Sequence, residues 1–324
     1  MICTCGIPPP HIQHRRAPPV DRFVSPKELA SAIGVSESSL KRWVDGGLLE
    51  VTRTAGGHRR IPLSSAVQFI RSRGHTVIRP EVLGITSGFS DTDEDFLGKS
   101  PEYKLTELLK AGKLLESRSL IISLFMEGMS VAEIADGPVS HALDAIGTIW
   151  HDDERGIIIE HRSTECCVYS LNILRGMIES STNSRQMKAI GCALEGDPYM
   201  LPSLIASIVL LENDYESTNL GPDLPLEVLR GEVKRMRPEL VWLSATVENK
   251  SPDIGASIEE LCHDLLTWGG MMVIGGRSAL SLPVPESPAL KICSSMQSLG
   301  ETARWLAQSR AADDAPGSES SKAS

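Results

Sequence analysis

The chain has 324 residues, a formal net charge of −10 and 41% hydrophobic residues, of which few are aromatic. Two or three domains with aliphatic cores fit into this length. The longest apolar runs fall short of the roughly 18 residues that a membrane-spanning helix needs, which argues against a membrane partner. Seven cysteines without an export signal predict reduced thiols and a cytoplasmic location.

The charge is divided unevenly along the chain. Residues 1–20 mix Pro, His and Arg, and we expect a disordered arm there rather than a signal peptide. Residues 22–79 contain ten Lys and Arg but four Asp and Glu, a net charge of +6, which leaves −16 for the rest. A basic module on an acidic body predicts that one part contacts a polyanion.

The basic part, residues 21–79, has the pattern of a winged helix-turn-helix. Ser25 to Glu28 form a capping box with Pro at the first helical position. Gly34 then ends the first helix, and Ser36 caps a second one. The second helix of such a pair presents its N-terminal turns to the DNA major groove, and the polar residues on those turns are Ser38, Ser39, Lys41 and Arg42.

A short two-stranded wing and a helix from Ser64 are predicted next. Gly56 and Gly57 allow a tight turn at the wing tip. The cationic side chains around this turn should contact phosphates, which adds affinity but little sequence discrimination; they are Arg53, His58, Arg59 and Arg60. Residues 22–74 resemble the MerR-type DNA-binding domain in SPKELASAIGVSESSLKRWVDGGLL and T-x-GGHRR. This resemblance implies binding to double-stranded operator DNA as a dimer.

A Pro-, Gly-, Ser- and Asp-containing stretch, residues 80–103, is predicted to be a linker. From 104 to 180, apolar residues recur at helical spacing in four segments with glycine-containing joints, which predicts a four-helix bundle. Ser130 and Glu133 form another capping box there. Taken singly, the histidines of this segment are typical of helix boundaries rather than of a ligand site.

One spacing in this segment changes that interpretation. Trp150, nine further residues and the pair Glu160-His161 resemble the W-x9-E-H signature of the helical bundle that covers cobalamin in MerR-family, B12-dependent photoreceptors. The resemblance implies that Trp150 packs over the corrin and that Glu160 and His161 line the same pocket. It also implies that His151 is an upper cobalt ligand, and a neutral imidazole suits a transition metal.

Residues 186–310 alternate apolar strands with helices, which predicts a doubly wound parallel sheet. Three strands are recognisable, in MKAIGCALE, PELVWLSAT and MMVIGG. Ligands of such sheets bind at the carboxyl ends of the strands. The tail, residues 311–324, is small and polar and is predicted to be disordered.

The spacing of this part resembles the cobalamin-binding family, which has D-x-H-x-x-G, about 41 residues, S-x-[LVT] and then GG. Asp197 stands at the first position, and 41 residues separate Pro202 from Ser244. Thr246 follows, and 28 residues separate it from Gly275 and Gly276. The sequence departs from the family at Tyr199, which replaces the cobalt-ligating histidine, and at Pro202, which replaces the glycine. A phenol is a poor neutral donor compared with imidazole.

Three interpretations of the ligand remain open from the sequence. The chain binds adenosylcobalamin through another lower ligand, it has lost cobalamin and serves in oligomerisation, or it binds a different small molecule. The fold class is therefore multidomain α and α/β: a winged helix-turn-helix, a four-helix bundle and a B12-binding-like doubly wound domain. The predicted function is a non-enzymatic DNA-binding regulator, most simply a homo-oligomeric repressor. The alternatives are a corrinoid carrier of a methyltransferase system and an anti-repressor that binds a partner regulator.

Overall fold

A computed structural model of the chain describes residues 23–54, 56–83, 96–148, 155–179 and 187–313. The predicted N-terminal arm and the residues after 313 lie outside these ranges, as do Trp150 and His151. We call residues 23–83 the N-terminal module, 96–179 the helical domain and 187–313 the α/β domain.

The N-terminal module contains three helices and a small antiparallel sheet. Its elements are β1 (Phe23–Val24), α1 (Pro26–Ala32), α2 (Glu37–Asp45), β2 (Thr52–Arg53), β3 (Arg59–Pro62) and α3 (Leu63–Arg73). β3 lies between β1 and β2, so the predicted two-stranded hairpin has a third strand from the start of the module. A short 3₁₀ helix, Pro80–Leu83, follows α3.

The local sequence explains where the first two helices begin. Glu28 N–H donates to Ser25 Oγ over 3.2 Å, and Ser25 N–H donates to the Glu28 carboxylate over 2.6 Å. Both bonds of the predicted capping box are therefore present, and they satisfy two backbone donors that a helix start leaves unpaired. Ser36 likewise accepts from Ser39 N–H over 3.1 Å at the start of α2, as predicted.

The helical domain comprises α4 (Pro101–Lys110), α5 (Leu114–Met126), α6 (Val131–Ile134), a π-helical turn (Ala135–Val139), α7 (Ser140–Gly147) and α8 (Arg155–Glu179). α4 packs on α5 and α7, and both of these pack on α8. The predicted capping box of Ser130 and Glu133 is confirmed. α8 includes both Glu160 and His161.

The predicted linker, residues 80–103, is structured at both ends. Leu83 at its start is fully buried, and α4 begins at Pro101, where the Ser100 side chain caps the helix. The boundary differs because proline at the first helical position favours a helix start, a signal that the loop-like composition of the stretch obscured.

The α/β domain is built on a five-stranded, entirely parallel sheet in the order β5-β4-β6-β7-β8. Its strands are β4 (Met187–Ala193), β5 (Tyr215–Asn219), β6 (Leu240–Ser244), β7 (Met271–Gly275) and β8 (Leu290–Ile292). Its helices are α9 (Met200–Glu212), α10 (Leu226–Met236), α11 (Ile254–Leu266) and α12 (Met296–Asp313). The doubly wound parallel sheet is therefore confirmed, with β5 and β8 as two strands that the sequence did not predict.

Residues on alternate positions of the strands enter different cores, as strand geometry requires. Ala189 and Trp242 face one side, in a cluster with residues of α9 and α12. Ile190 and Val241 face the other side, in a cluster with residues of α10 and α11. The first cluster continues into the helical domain and the N-terminal module, so these parts share one hydrophobic core. Within the described ranges, none of the helices combines the length and apolarity needed to cross a membrane.

Candidate functional site

The predicted DNA-contacting residues lie on two neighbouring elements of the N-terminal module. Those with exposed side chains are Ser38, Lys41 and Arg42 on α2, and Arg53, His58 and Arg60 on the β2–β3 hairpin. This group therefore presents five residues with cationic or titratable side chains and one hydroxyl to the solvent. Cationic side chains and hydroxyls are the kinds of group that donate hydrogen bonds to phosphate oxygens.

Ser39 differs from this group because its side chain is used within the helix cap. Its hydroxyl lies 2.9 Å from that of Ser36, and Arg42 Nη2 donates to it over 3.3 Å. These bonds fix the first turn of α2 and orient the Arg42 guanidinium. Ser38 also shares a 2.9 Å hydrogen bond with Ser36, but its side chain remains exposed.

Arg59 also differs from the other cationic residues of the hairpin. Its guanidinium forms a 2.7 Å ion pair with Asp45 at the end of α2, and only 27% of its side chain is exposed. This pair connects the hairpin to α2. The predicted phosphate contact of Arg59 is untested, and the observed geometry gives this residue a role in orienting the hairpin.

A second candidate site lies at the carboxyl edge of the parallel sheet. Ligands of doubly wound sheets bind where adjacent strands have connections to opposite sides, which here is between β4 and β6. Asp197 follows β4 and is 1% exposed. Its Oδ1 accepts from Tyr199 N–H over 3.0 Å, and its Oδ2 accepts from Thr246 N–H after β6. Asp197 therefore joins the two loops that border this crevice.

This arrangement does not fit the lower face of a cobalamin cobalt. Tyr199, at the position of the expected histidine, is a residue 47% exposed, and its phenol provides no neutral imidazole nitrogen. Both oxygens of Asp197 accept backbone N–H groups, so the carboxylate is already engaged in holding the loops. Pro202 lies in the wall of the adjacent cavity.

A cavity of about 280 Å³ lies between α9, the ends of β6 and β7, and the start of α12. Its walls include Pro202 and Ala206 of α9, Val273 of β7 and Leu299 of α12. Ser244 and Gly275, both predicted from the sequence to be cofactor-binding residues, also line it, so the structure brings them together. Apolar walls with few polar groups are typical of small-molecule sites.

Gly276 allows the two strand ends to approach each other at this cavity. Its φ of +109° is a conformation that L side chains rarely adopt, and an added Cβ would lie 2.3 Å from the carbonyl oxygen of Ala245. Only glycine therefore fits at this position. The structure therefore explains on steric grounds why the second residue of the GG pair is glycine.

Trp242 forms part of the cavity wall and was not identified from the sequence. Its indole N–H donates to Ser203 Oγ of α9 over 3.1 Å. The ring packs against Gly191 of β4, where an added Cβ would lie 2.2 Å from it. Because Trp242 precedes Ser244 by two residues on one strand, strand periodicity predicts that both face the same side. This signal was present in the sequence.

Polar residues of the helical domain also contact the carboxyl edge of the parallel sheet. Asp136, in the π-helical turn, accepts from the backbone N–H groups of Met296 and Gln297 at the start of α12, both over 2.9 Å. Arg277, just after β7, forms an ion pair with Asp144 of α7. The helical domain is therefore held against the carboxyl edge of the sheet.

The residues that the resemblance placed over the corrin are only partly described. Trp150 and His151 lie outside the described residues, so the packing of this indole and the upper cobalt ligand stay predictions. Glu160 is half-buried and His161 is exposed, both in the first two turns of α8. Among the described residues, no cluster of three or more His, Cys, Asp and Glu side chains could hold a metal ion.

Comparison with known proteins gives distant similarities to solved structures. No protein-family model matches the chain, and no curated protein matches it. The monomethylamine corrinoid protein of Methanosarcina barkeri is 16% identical, with a TM-score of 0.49, covering 63% of this chain and 96% of that one.

Two further solved structures give lower TM-scores. The methanol:cobalamin methyltransferase complex MtaBC from Methanosarcina barkeri is 14% identical, with a TM-score of 0.32, covering 84% of this chain and 93% of that one. A cobalamin-binding protein from Desulfitobacterium hafniense is 15% identical, with a TM-score of 0.30, covering 65% of this chain and 98% of that one. Similarities of this size assign neither the MerR family nor a cofactor to the chain.

Proposed function

We propose that this chain is a DNA-binding transcription regulator. In this proposal the N-terminal module is a winged helix-turn-helix of the MerR type, and α2 enters the major groove. The observation that carries the proposal is the common exposure of Lys41 on α2 with Arg53, His58 and Arg60 on the hairpin. A basic surface that combines a capped helix with a neighbouring hairpin suits phosphate contacts on both sides of a groove.

The other domains would control this binding. We propose that the helices α4, α5, α7 and α8 form a bundle over the carboxyl edge of the sheet, and that the α/β domain is a sensor that also mediates self-association. Two DNA-binding modules in one oligomer gain affinity through effective concentration. A signal that changes assembly would then change operator occupancy. No catalysis is part of this proposal, and its site of action is the cytoplasm.

The experiment is a gel shift with the full chain and a pool of duplex DNA at low salt. The regulator is expected to retard the duplex, and Lys41→Ala is expected to weaken this binding. Lys291→Ala is the matched control, since it removes one exposed lysine of β8 in the α/β domain. Equal binding by the parent and both variants would remove α2 from the interface, and no retardation at all would overturn the proposal.

A corrinoid carrier of a methyltransferase system is the second candidate. It is favoured by the contact of the helical domain with the carboxyl edge of the sheet through Asp136 and Arg277. The gel shift, combined with an absorbance spectrum after incubation with adenosylcobalamin in the dark and again after illumination, separates the two candidates. A carrier retains the corrinoid and leaves duplex DNA unbound. An anti-repressor would leave DNA unbound but retard a complex of DNA with its partner regulator.

A further inference from the structure

We propose that the cavity at the ends of β6 and β7 binds a compact, neutral aromatic molecule with one hydrogen-bonding group. The ring system would lie between α9 and the start of α12, and its polar group would bond with Ser244. This inference names the ligand class of the proposed sensor domain. It rests on the proposed function only for its biological role, because the binding itself requires no DNA.

The first argument is the hydroxyl of Ser244. This side chain lines the cavity and its residue is 5% exposed, yet its Oγ has no hydrogen-bond partner among the described residues. A buried hydroxyl without a partner carries an unfavourable desolvation free energy. A ligand that donates to this oxygen, or accepts from it, would remove that cost. The cavity therefore has, at Ser244, a buried hydroxyl that is available to a ligand.

The second argument is charge. The backbone N–H groups that begin α12 would attract an anion, but Asp136 accepts from those of Met296 and Gln297. Its carboxylate also lines the cavity and disfavours a negatively charged ligand. Arg277 is the cationic residue among the lining residues, and it is already paired with Asp144. A neutral ligand fits this balance better than a carboxylate or a phosphate.

The third argument is size and wall chemistry. An apolar protein cavity of about 150 Å³ holds a benzene molecule, so about 280 Å³ is enough for two fused rings. The walls offer flat apolar surfaces from Trp242 and Pro202, together with Ala206, Val273 and Leu299. Pockets for larger, drug-sized ligands begin at roughly 300 Å³. The volume and the walls therefore favour a compact aromatic ring system.

The test measures equilibrium binding of indole and 2-naphthol to the full chain by titration calorimetry. Saturable binding of one molecule per chain is expected for at least one of them. Indene has the shape of indole without its N–H group, and indole-2-carboxylate adds a negative charge. Both are expected to bind more weakly than indole.

Ser244→Ala tests the hydrogen bond. It should weaken indole binding about five- to tenfold, the contribution of one hydrogen bond, and leave indene binding unchanged. Ser217→Ala is the matched control, because Ser217 is also a buried serine whose hydroxyl has no partner among the described residues but does not line the cavity. Circular dichroism of both variants establishes that each is folded.

Three results would overturn the inference: neither probe saturates, Ser244→Ala and Ser217→Ala change indole binding equally, or hydroxocobalamin binds the chain and displaces the probe. The last result would assign the cavity to part of a corrinoid. A failure of DNA binding with intact indole binding would refute only the proposed regulator, so the two proposals fail separately.

Discussion

Arg71 and Glu212 are 141 residues apart in the sequence and form an ion pair with an Nη1–Oε1 distance of 3.0 Å. Arg71 also donates to the carbonyl oxygen of Met129 over 3.2 Å, and its guanidinium lies 3.6 Å from the ring centre of Phe125. The other oxygen of Glu212 accepts from Val131 N–H over 2.8 Å. The N-terminal module, the helical domain and the α/β domain therefore meet at this pair.

Replacing Arg71 should loosen this junction. Arg71→Met keeps part of the side-chain volume but leaves the largely buried Glu212 carboxylate without its cationic partner, which is costly. We expect a loss of about 1–3 kcal/mol in the free energy of unfolding, measured by urea denaturation. Arg73→Met, at an exposed position two residues later, is the control and should change stability by less than about 0.5 kcal/mol. Equal effects of the two variants would mean that the junction adds no stability.

The two neighbouring arginines of the hairpin should differ in their effect on DNA binding. Arg60 is exposed, whereas Arg59 is paired with Asp45. Arg60→Ala should weaken binding similarly for all sequences and reduce the slope of log affinity against log salt by about 0.9, as loss of one phosphate contact requires. Arg59→Ala should weaken binding with a smaller change of slope. A loss confined to one operator sequence would contradict the phosphate role of Arg60.

The ion pair between Arg230 of α10 and Asp264 of α11 should make the stability of the fold depend on pH. The hydrogen bond from Arg230 lowers the pKa of Asp264 below its ordinary value, with a further contribution from Lys234. A carboxyl whose pKa is lower in the folded state stabilises the fold above its unfolded pKa. That stabilisation is lost as the pH falls through the folded pKa.

Asp264→Asn should therefore lower the free energy of unfolding by about 1–2 kcal/mol at pH 7. The difference in this free energy between the variant and the parent should shrink below about pH 4. Urea denaturation between pH 7 and pH 3 measures it. Asp253→Asn is the control at the other end of α11, where the side chain is exposed and makes no capping hydrogen bond. A difference that stays constant over this pH range would contradict the assigned cause.

Tyr199→His supplies the imidazole that the cobalamin-binding resemblance requires at this position. We expect the variant to retain more cobalamin than the parent, measured by absorbance after gel filtration. Tyr199→Phe is the matched control, because it keeps a ring but provides no donor atom. If the histidine variant retained no more corrinoid than the control, Pro202 in the cavity wall would be the next residue to replace.

Sequence patterns predicted the elements whose signals are local. Both capping boxes were identified because their polar residues are three positions apart, and β4 and β6 because most of their residues are apolar. β5, with the sequence YESTN, was missed because it is an edge strand with polar residues that a half-exposed position tolerates. β8 has three residues, too few for any periodicity to be recognised.

The contacts between distant residues were beyond local patterns. Nothing in the sequence indicates that Asp136 caps α12, since Met296 lies 160 positions after Asp136. The pair of Arg59 and Asp45 depends on how the hairpin packs beside α2, and the sequence alone presented Arg59 as equivalent to Arg60. Such relationships arise from tertiary packing, and pairwise spacing carries no signal for them.

The proposed function depends on the binding of duplex DNA by the exposed basic surface of α2 and the hairpin. The most direct test selects duplexes bound by the full chain from a random pool and measures their affinity by fluorescence anisotropy from 50 to 200 mM salt. We expect the selected duplexes to share a sequence, and we expect their affinity to fall steeply with salt and to be lower still for Lys41→Ala. DNA binding by this surface would be contradicted if the selected duplexes had no common sequence and were bound no better than the starting pool. The same conclusion would follow if Lys41→Ala bound them as tightly as the parent.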